Sequence, residues 1–184
     1  MRGRSGGDRA ITLSQIHIRR TTKNALIFLL TAAAVILVDQ VSKAIIAAQM
    51  EPGRSITAIP HVLSVTYSTN TGAAFGLFRG HSQLVFVAAA LIIGLTLAWF
   101  IIFRKRDSLW TFIGLGLILG GALGNNLIDR IARGKVVDFI DLGWWPVFNV
   151  ADIAIVSGVI IVLVVSAIEL WREDAAEQTD NGGA

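Results

Sequence analysis

Four apolar runs, at about 25–49, 84–103, 109–128 and 147–170, divide this chain, with polar stretches between them. Each matches the roughly 20 residues that a helix needs to cross a bilayer core. The second run is almost purely apolar and is followed at once by Arg104, Lys105 and Arg106. Only a few residues lead on to the third, so these two spans form a hairpin. The third carries Gly116, Gly120 and Gly124 at successive i+4 steps. Small residues on one face let another helix come close, a packing signal that carries no function by itself.

The stretch 50–82 is different. It is mixed in character and holds Pro52, Gly53, Pro60, Gly72, Gly76 and Gly80. Its piece HVLSVT (61–66) is rich in β-branched residues and short enough for a strand. The pattern predicts an all-α membrane protein. Four transmembrane helices carry a small extracytoplasmic, β-containing lobe between helices 1 and 2. Residues 1–23 read as a flexible basic tail, 24–171 as the transmembrane domain and 172–184 as a disordered acidic tail. A cleaved signal peptide is the alternative for the first run. That run is long for such a segment, and it contains Asp39 and Lys43.

Composition sharpens this picture. The chain is 54% hydrophobic and 16% charged, with a mean hydropathy of +0.65. Its net charge of +3 comes from Lys and Arg beside the spans. The positive-inside rule accounts for that surplus, so no nucleic-acid partner is expected. The basic N-terminal tail and the Arg104–Arg106 link place both termini in the cytoplasm. Stretch 50–82 and the loop 129–149 then face outward. There is no cysteine, which excludes disulfides and a thiol nucleophile. His17, His61 and His81 are scattered, and no zinc spacing occurs. Neither a metal nor a cofactor is expected.

The chemistry gathers in GGALGNNLIDRIARGKVVDFIDLGWWPVFNVAD (120–152), with Asp129, Asp138, Asp141 and Asp152. At about 1.5 Å per residue, Asp39 and Lys43 lie in the outer part of span one. Asn125, Asn126, Asp129 and Arg130 sit where span three leaves on that side. Asn149 and Asp152 sit where span four enters, and Asn70 belongs to the lobe. An unpaired ionisable group at such a depth costs about 2.5 kcal/mol or more, so these residues should share one pocket. Asp39 and Lys43, at i and i+4, form either a structural bridge or part of a substrate contact. Asp129 braces Arg130 as a clamp. Asp138 and Asp152 both stand among apolar neighbours, which favours a protonated carboxyl. Brought together they would share one proton, as in aspartic proteases. The competing reading of the same residues is an ion-pair network in a transporter or channel.

In this order and between four spans, five motifs make the chain resemble lipoprotein signal peptidase (signal peptidase II), the bacterial membrane aspartic protease family. They are VDQVSK (38–43), NTGAAFG (70–76), GGALGNNLIDR (120–130), VVDFID (136–141) and FNVAD (148–152). The resemblance covers about 25–170. It implies an enzyme that cuts diacylglyceryl-modified prolipoproteins just before the lipidated cysteine, needs no metal, and is the target of globomycin. It maps the catalytic pair to Asp138 and Asp152. Its substrate-binding or supporting positions are Asp39, Lys43, Asn70, Gly72, Ala73, Asn126, Asp129, Arg130 and Asn149. Family members usually read Gly-Asn-x-x-Asp-Arg, and this chain has one residue more. Anchoring on Asp129 and Arg130 selects Asn126; anchoring on Gly124 selects Asn125. Asn126 is the choice taken. The expected partners are lipidated prolipoproteins and membrane lipid, with the chain acting as a monomer in the bacterial cytoplasmic membrane.

Two rivals remain. A proton- or ion-coupled transporter using Asp39, Lys43 and Asp129 predicts polar residues near the midplane. A scaffold that binds a partner helix through its glycine face would tolerate Asp138→Asn.

Overall fold

The computed structural model describes residues 6–70, 82–103 and 108–181. Its elements in chain order are α1 (Gly6–Gln49), β1 (Ser55–Ile59), β2 (Leu63–Asn70), α2 (Ser82–Phe103) and α3 (Leu109–Ala122). A π-helical segment (Leu123–Asp129) continues α3 and leads into the short α4 (Arg130–Arg133). Then come β3 (Val136–Asp141) and α5 (Val150–Asn181). Among the described residues, three helical stretches are long and apolar enough to cross a membrane: Thr22–Gln49, Leu109–Arg133 and Val150–Ala176. A shorter apolar stretch, Ala90–Ile102, lies in α2.

The stretch through α3 is the central one: 67% of its apolar window is buried, against 22% and 17% for α1 and α5. Glycine explains how it is enclosed. A Cβ added at Gly120 would stand 2.6 Å from the Ala32 carbonyl oxygen, and one at Gly116 would stand 2.7 Å from that of Phe28. On its other side, a Cβ at Gly121 would stand 2.5 Å from the Ala151 carbonyl oxygen, and one at Gly158 of α5 would stand 2.5 Å from that of Gly114. The i+4 glycines thus seat α3 against α1, and a second glycine set, not singled out in the sequence, seats it against α5. Phe28 stacks on Phe100 at 4.5 Å, and Phe100 meets Phe112 edge-on at 5.9 Å, tying α2 to the core. Leu115, Leu119 and Val162 complete that core. Large side chains such as Leu29, Leu37, Ile160 and Leu163 remain exposed, as lipid-facing positions do.

The strands form one antiparallel sheet of order β1-β2-β3. This corrects the expected lobe. Its third strand comes from the connection before α5, so the sheet draws on two separate parts of the chain. The strand expected at 61–66 instead begins at Leu63, because His61 (φ 62°) turns the chain between β1 and β2. A bulge in β2 between Val65 and Ser68 leaves Ser68 opposite Asp138. Met50, Tyr67 and Val137 pack together and hold the sheet against the end of α1.

The ends of the chain differ from expectation too. Helix α1 reaches back to Gly6, where a flexible tail with at most a short surface helix at its end was expected, and α5 runs on to Asn181, where a disordered tail was expected. Once a span has paid the nucleation cost, each further turn adds cheaply. The sequence after Arg172 is rich in Ala and Glu and free of Pro, so nothing stops α5 there. Its start also moves, from 147 to Val150, because residues 147–149 belong to a chain reversal described next.

Candidate active site

Every polar side chain of interest lies at the sheet end of the bundle. Helix α5 starts with a reciprocal cap. Asn149 Oδ1 accepts from the Asp152 backbone N–H at 3.0 Å, and Asp152 Oδ2 accepts from the Asn149 N–H at 3.1 Å. This is a capping box, with Asn149 at the N-cap and the acid three residues on. A third orphan donor, the Ala151 N–H, is met at 3.0 Å by Asp39 Oδ1 from α1. Asp152 therefore sits in the first turn of a long helix, where the macrodipole favours negative charge.

The loop before α5 brings Asp138 to the same place. Asp141 Oδ1 accepts from the Gly143 N–H at 2.8 Å, and Gly143 turns the chain with φ 79°. The chain then returns along β3, and Phe148 pairs with Ile140. Asn149 is thereby laid against β3. Its Nδ2 donates to Asp138 Oδ1 at 2.6 Å, to the Val137 carbonyl at 3.4 Å and to Asn125 Oδ1 at 3.0 Å. One asparagine thus holds both carboxylates, Asp138 by its side chain and Asp152 by its backbone. Asn125 Nδ2 donates to Asp152 Oδ1 at 2.8 Å.

Beneath this pair lies Lys43, which has no exposed surface. Its ammonium donates to Asp39 Oδ2 at 2.7 Å, Asn125 Oδ1 at 2.6 Å and Asp129 Oδ2 at 2.5 Å. An ammonium has three donors, and all are used. Gln40 Nε2 donates to Asp129 Oδ1 at 2.9 Å, and Arg133 is ion-paired with the same carboxylate. Gly124 is needed here for space: a Cβ would stand 3.0 Å from Asp39 Oδ2.

Asp138 lies on β3, beyond the spanning helices, and is only 5% exposed. Burial pushes its carboxyl up to about 6, helped by the neighbouring Asp152 charge. The Asn149 hydrogen bond, the Lys43 charge and an Asn70 side-chain hydrogen bond oppose the shift. Arg130 lies within electrostatic reach of both Asp138 and Asp129.

Most of the expected residues therefore meet: Asp39, Lys43, Asn70, Asp129, Arg130, Asp138, Asn149 and Asp152. Gly72 and Ala73 lie outside the described residues. Asn126 is a correction, since Asn125 makes the contacts with Lys43, Asn149 and Asp152. The segment Leu123–Asp129 is π-helical, and each of its hydrogen-bonded turns holds one residue more than an α-turn. Counting back from Asp129 on α-helical spacing therefore misplaces the asparagine. Gln40 and Arg133 were not singled out. Arg133 follows Asp129 at i+4, a spacing that could have revealed it.

A bundle of apolar helices that gathers paired carboxylates and their counter-ions at one end defines a membrane protein built for carboxylate chemistry. Comparison with known proteins says which. The family model for signal peptidase (SPase) II matches residues 31–168. A lipoprotein signal peptidase from Syntrophomonas wolfei is 46% identical over 140 residues, spanning 76% of this chain and 92% of that one. One from Moorella thermoacetica is 44% identical over 149 residues, spanning 79% and 98%. A bacterial membrane enzyme solved by the in meso method superposes with a TM-score of 0.71 at 36% identity, over 78% of this chain and 88% of its own. The chain belongs to the signal peptidase II family. It is a multi-pass membrane peptidase.

Proposed function

We propose that this chain removes the signal peptide from diacylglyceryl-modified prolipoproteins, with Asp138 and Asp152 as the catalytic pair. The observation that carries this reading is Asn149, which donates to both carboxylates where β3 meets α5. Asp152 accepts a hydrogen bond on each oxygen and sits at a helix N-terminus, both of which favour its ionised form. Asp138, desolvated on a strand and pushed up to about 6, is the partner that holds the proton as the pH falls to that value. Asp152 takes a proton from water as the water attacks the scissile carbonyl. Asp138 gives its proton to the carbonyl oxygen. On collapse of the tetrahedral gem-diol the C–N bond breaks, the proton on Asp152 passes to the leaving amide nitrogen, and one hydroxyl returns its proton to Asp138, which restores the starting pair. Charge balance agrees with one shared proton. Asp39, Asp129, Asp138 and Asp152 face Lys43, Arg130 and Arg133, so the cluster is neutral when a single carboxyl stays protonated.

The finer architecture follows the same reading. Helix α2, at about 1.5 Å per residue, extends about 33 Å, enough to serve as a fourth span. Both termini lie in the cytoplasm, the sheet and site face outward, and a single chain suffices. The substrate's acyl chains hold its cysteine in the bilayer and present the scissile bond at the site, a proximity gain that needs no deep cleft. Asn70 hydrogen-bonds Asp138, and Gly72 and Ala73 after it are taken with it as substrate-binding or supporting residues. The transporter reading gains no support: among the described residues, the buried charged side chains Asp39, Lys43, Asp129 and Asp138 all lie at this end.

The test is cleavage of a lipidated precursor by purified protein. Asp138→Asn and Asp152→Asn should each lose about 1,000-fold or more in kcat, since groups acting as a unit fail together. Either variant cutting at the wild-type rate would sink the pair.

A further inference from the structure

The two buried carboxylates that hold Lys43 do not stand alone. Gln40, the residue after Asp39, joins them. Its Nε2 donates to Asp39 Oδ2 at 3.1 Å and to Asp129 Oδ1 at 2.9 Å. Its Oε1 accepts from Arg133 Nη1 at 2.8 Å. Both ends of the amide are therefore engaged, and the two carboxylates it bridges are fully buried.

The consequences run to the site by two routes. On the first, Gln40 and Lys43 both donate to Asp39 Oδ2. The other oxygen is left to accept the Ala151 N–H, next to Asp152 at the head of α5. On the second route, Gln40 and Arg133 occupy Asp129 Oδ1. That leaves Oδ2 for Lys43, whose ammonium also fixes Asn125, the donor to Asp152 Oδ1. Arg133 lies three residues before β3, the strand that carries Asp138.

We propose that Gln40, held by Arg133, is a positioning residue for the peptidase reaction, fixing Asp152 through Asp39 on one route and through Asp129, Lys43 and Asn125 on the other. This rests on the catalytic reading above. Only an amide suits the place. It donates to two anions at once and accepts from a cation, which neither a carboxylate nor an ammonium does. A glutamate there would confront Asp39 and Asp129 with a third negative charge, with Lys43 and Arg133 as the facing cations. In its neutral form it would still donate one hydrogen bond.

The test compares wild type, Gln40→Ala and Gln40→Glu on a lipidated precursor in detergent, from about pH 5 to pH 8, with rates referred to the folded fraction. Wild-type cleavage and the loss in Asp138→Asn, run alongside, check the catalytic reading independently. Gln40→Ala should lower kcat about tenfold with KM within about twofold, the equivalent of one charge-assisted hydrogen bond. Gln40→Glu should fall further at pH 8 and, relative to wild type at each pH, recover as the pH drops. A role confined to folding predicts something else: less folded protein or a lower Tm, with wild-type kcat and a flat ratio across pH. That result overturns the proposal. If neither Gln40 variant folds, Arg133→Met decides, because that side chain is 34% exposed. A lower kcat with KM kept supports the positioning role, and an unchanged kcat refutes it.

Discussion

Asp138 occupies a position that suits chemistry better than stability. Its carboxyl is pushed up to about 6 from 3.8, chiefly by burial. The folded state therefore holds this proton more tightly than the unfolded chain does. Below about pH 4 both states are protonated and the group is neutral to stability. As pH rises from there to about 6 the unfolded chain ionises first, and the native state loses about 3 kcal/mol that it does not regain at higher pH. Asp138→Asn, which cannot ionise, should therefore unfold at a higher temperature than wild type near pH 7.5. The gap should close near pH 4. Thermal unfolding in detergent at both pH values checks this, and equal melting temperatures at pH 7.5 would refute it. At this scale the sequence was informative where chemistry restricts the residue type. Carboxylates and a lysine in apolar surroundings must find one another, and Asp39, Lys43, Asp129, Asp138 and Asp152 do. It was uninformative where the backbone decides between neighbours: Asn125 and Asn126 are chemically identical, and only the π-helical turn separates them.

Among the elements, three of the four expected spans were legible because a membrane demands long apolar helices, and the i+4 glycines because close helix contact demands small residues. The sheet was only half legible. VVDFID (136–141) reads as an apolar setting for an acid, and nothing local to it says that it pairs with β2 from a distant part of the chain. The bulge that sets Ser68 opposite Asp138 has no signal in the residues either. The helix contacts can be tested directly. Gly120→Ala places a Cβ 2.6 Å from the Ala32 carbonyl oxygen, a backbone atom that cannot turn aside. Overpacking of this kind costs about 1–3 kcal/mol and should lower the melting temperature measurably. Because α1 carries Asp39 and Lys43, activity should fall with it. Gly94 in α2 has nothing within 4 Å of such a Cβ. Gly94→Ala should be neutral or slightly stabilising, by about 0.5–1 kcal/mol, through helix propensity alone. Equal melting temperatures for the two variants would show that α3 is not held by close backbone contact.

For the whole molecule, the polar end must face the side from which its substrate arrives, and the charge along the chain says which side that is. Arg104, Lys105 and Arg106 fall in the sequence between α2 and α3, and α3 starts at the end of the bundle away from the sheet. Short connections rich in Lys and Arg stay in the cytoplasm. Helix α5 starts at the sheet end and carries its exposed charged turns, with Arg172, Glu173 and Asp174, at the other. The two ends should therefore be reachable from opposite sides of the membrane. The chain has no cysteine, so a single introduced thiol reports its own location. Thr57 is exposed on β1, and Glu173 is exposed on the far part of α5. In intact cells from which any outer barrier has been removed, a membrane-impermeant maleimide should label Thr57→Cys and leave Glu173→Cys unmodified. After permeabilisation both should react. If Glu173→Cys were labelled first, the site would open to the cytoplasm, and a lipoprotein precursor already translocated by its signal peptide would present the scissile bond on the wrong side for Asp138 and Asp152.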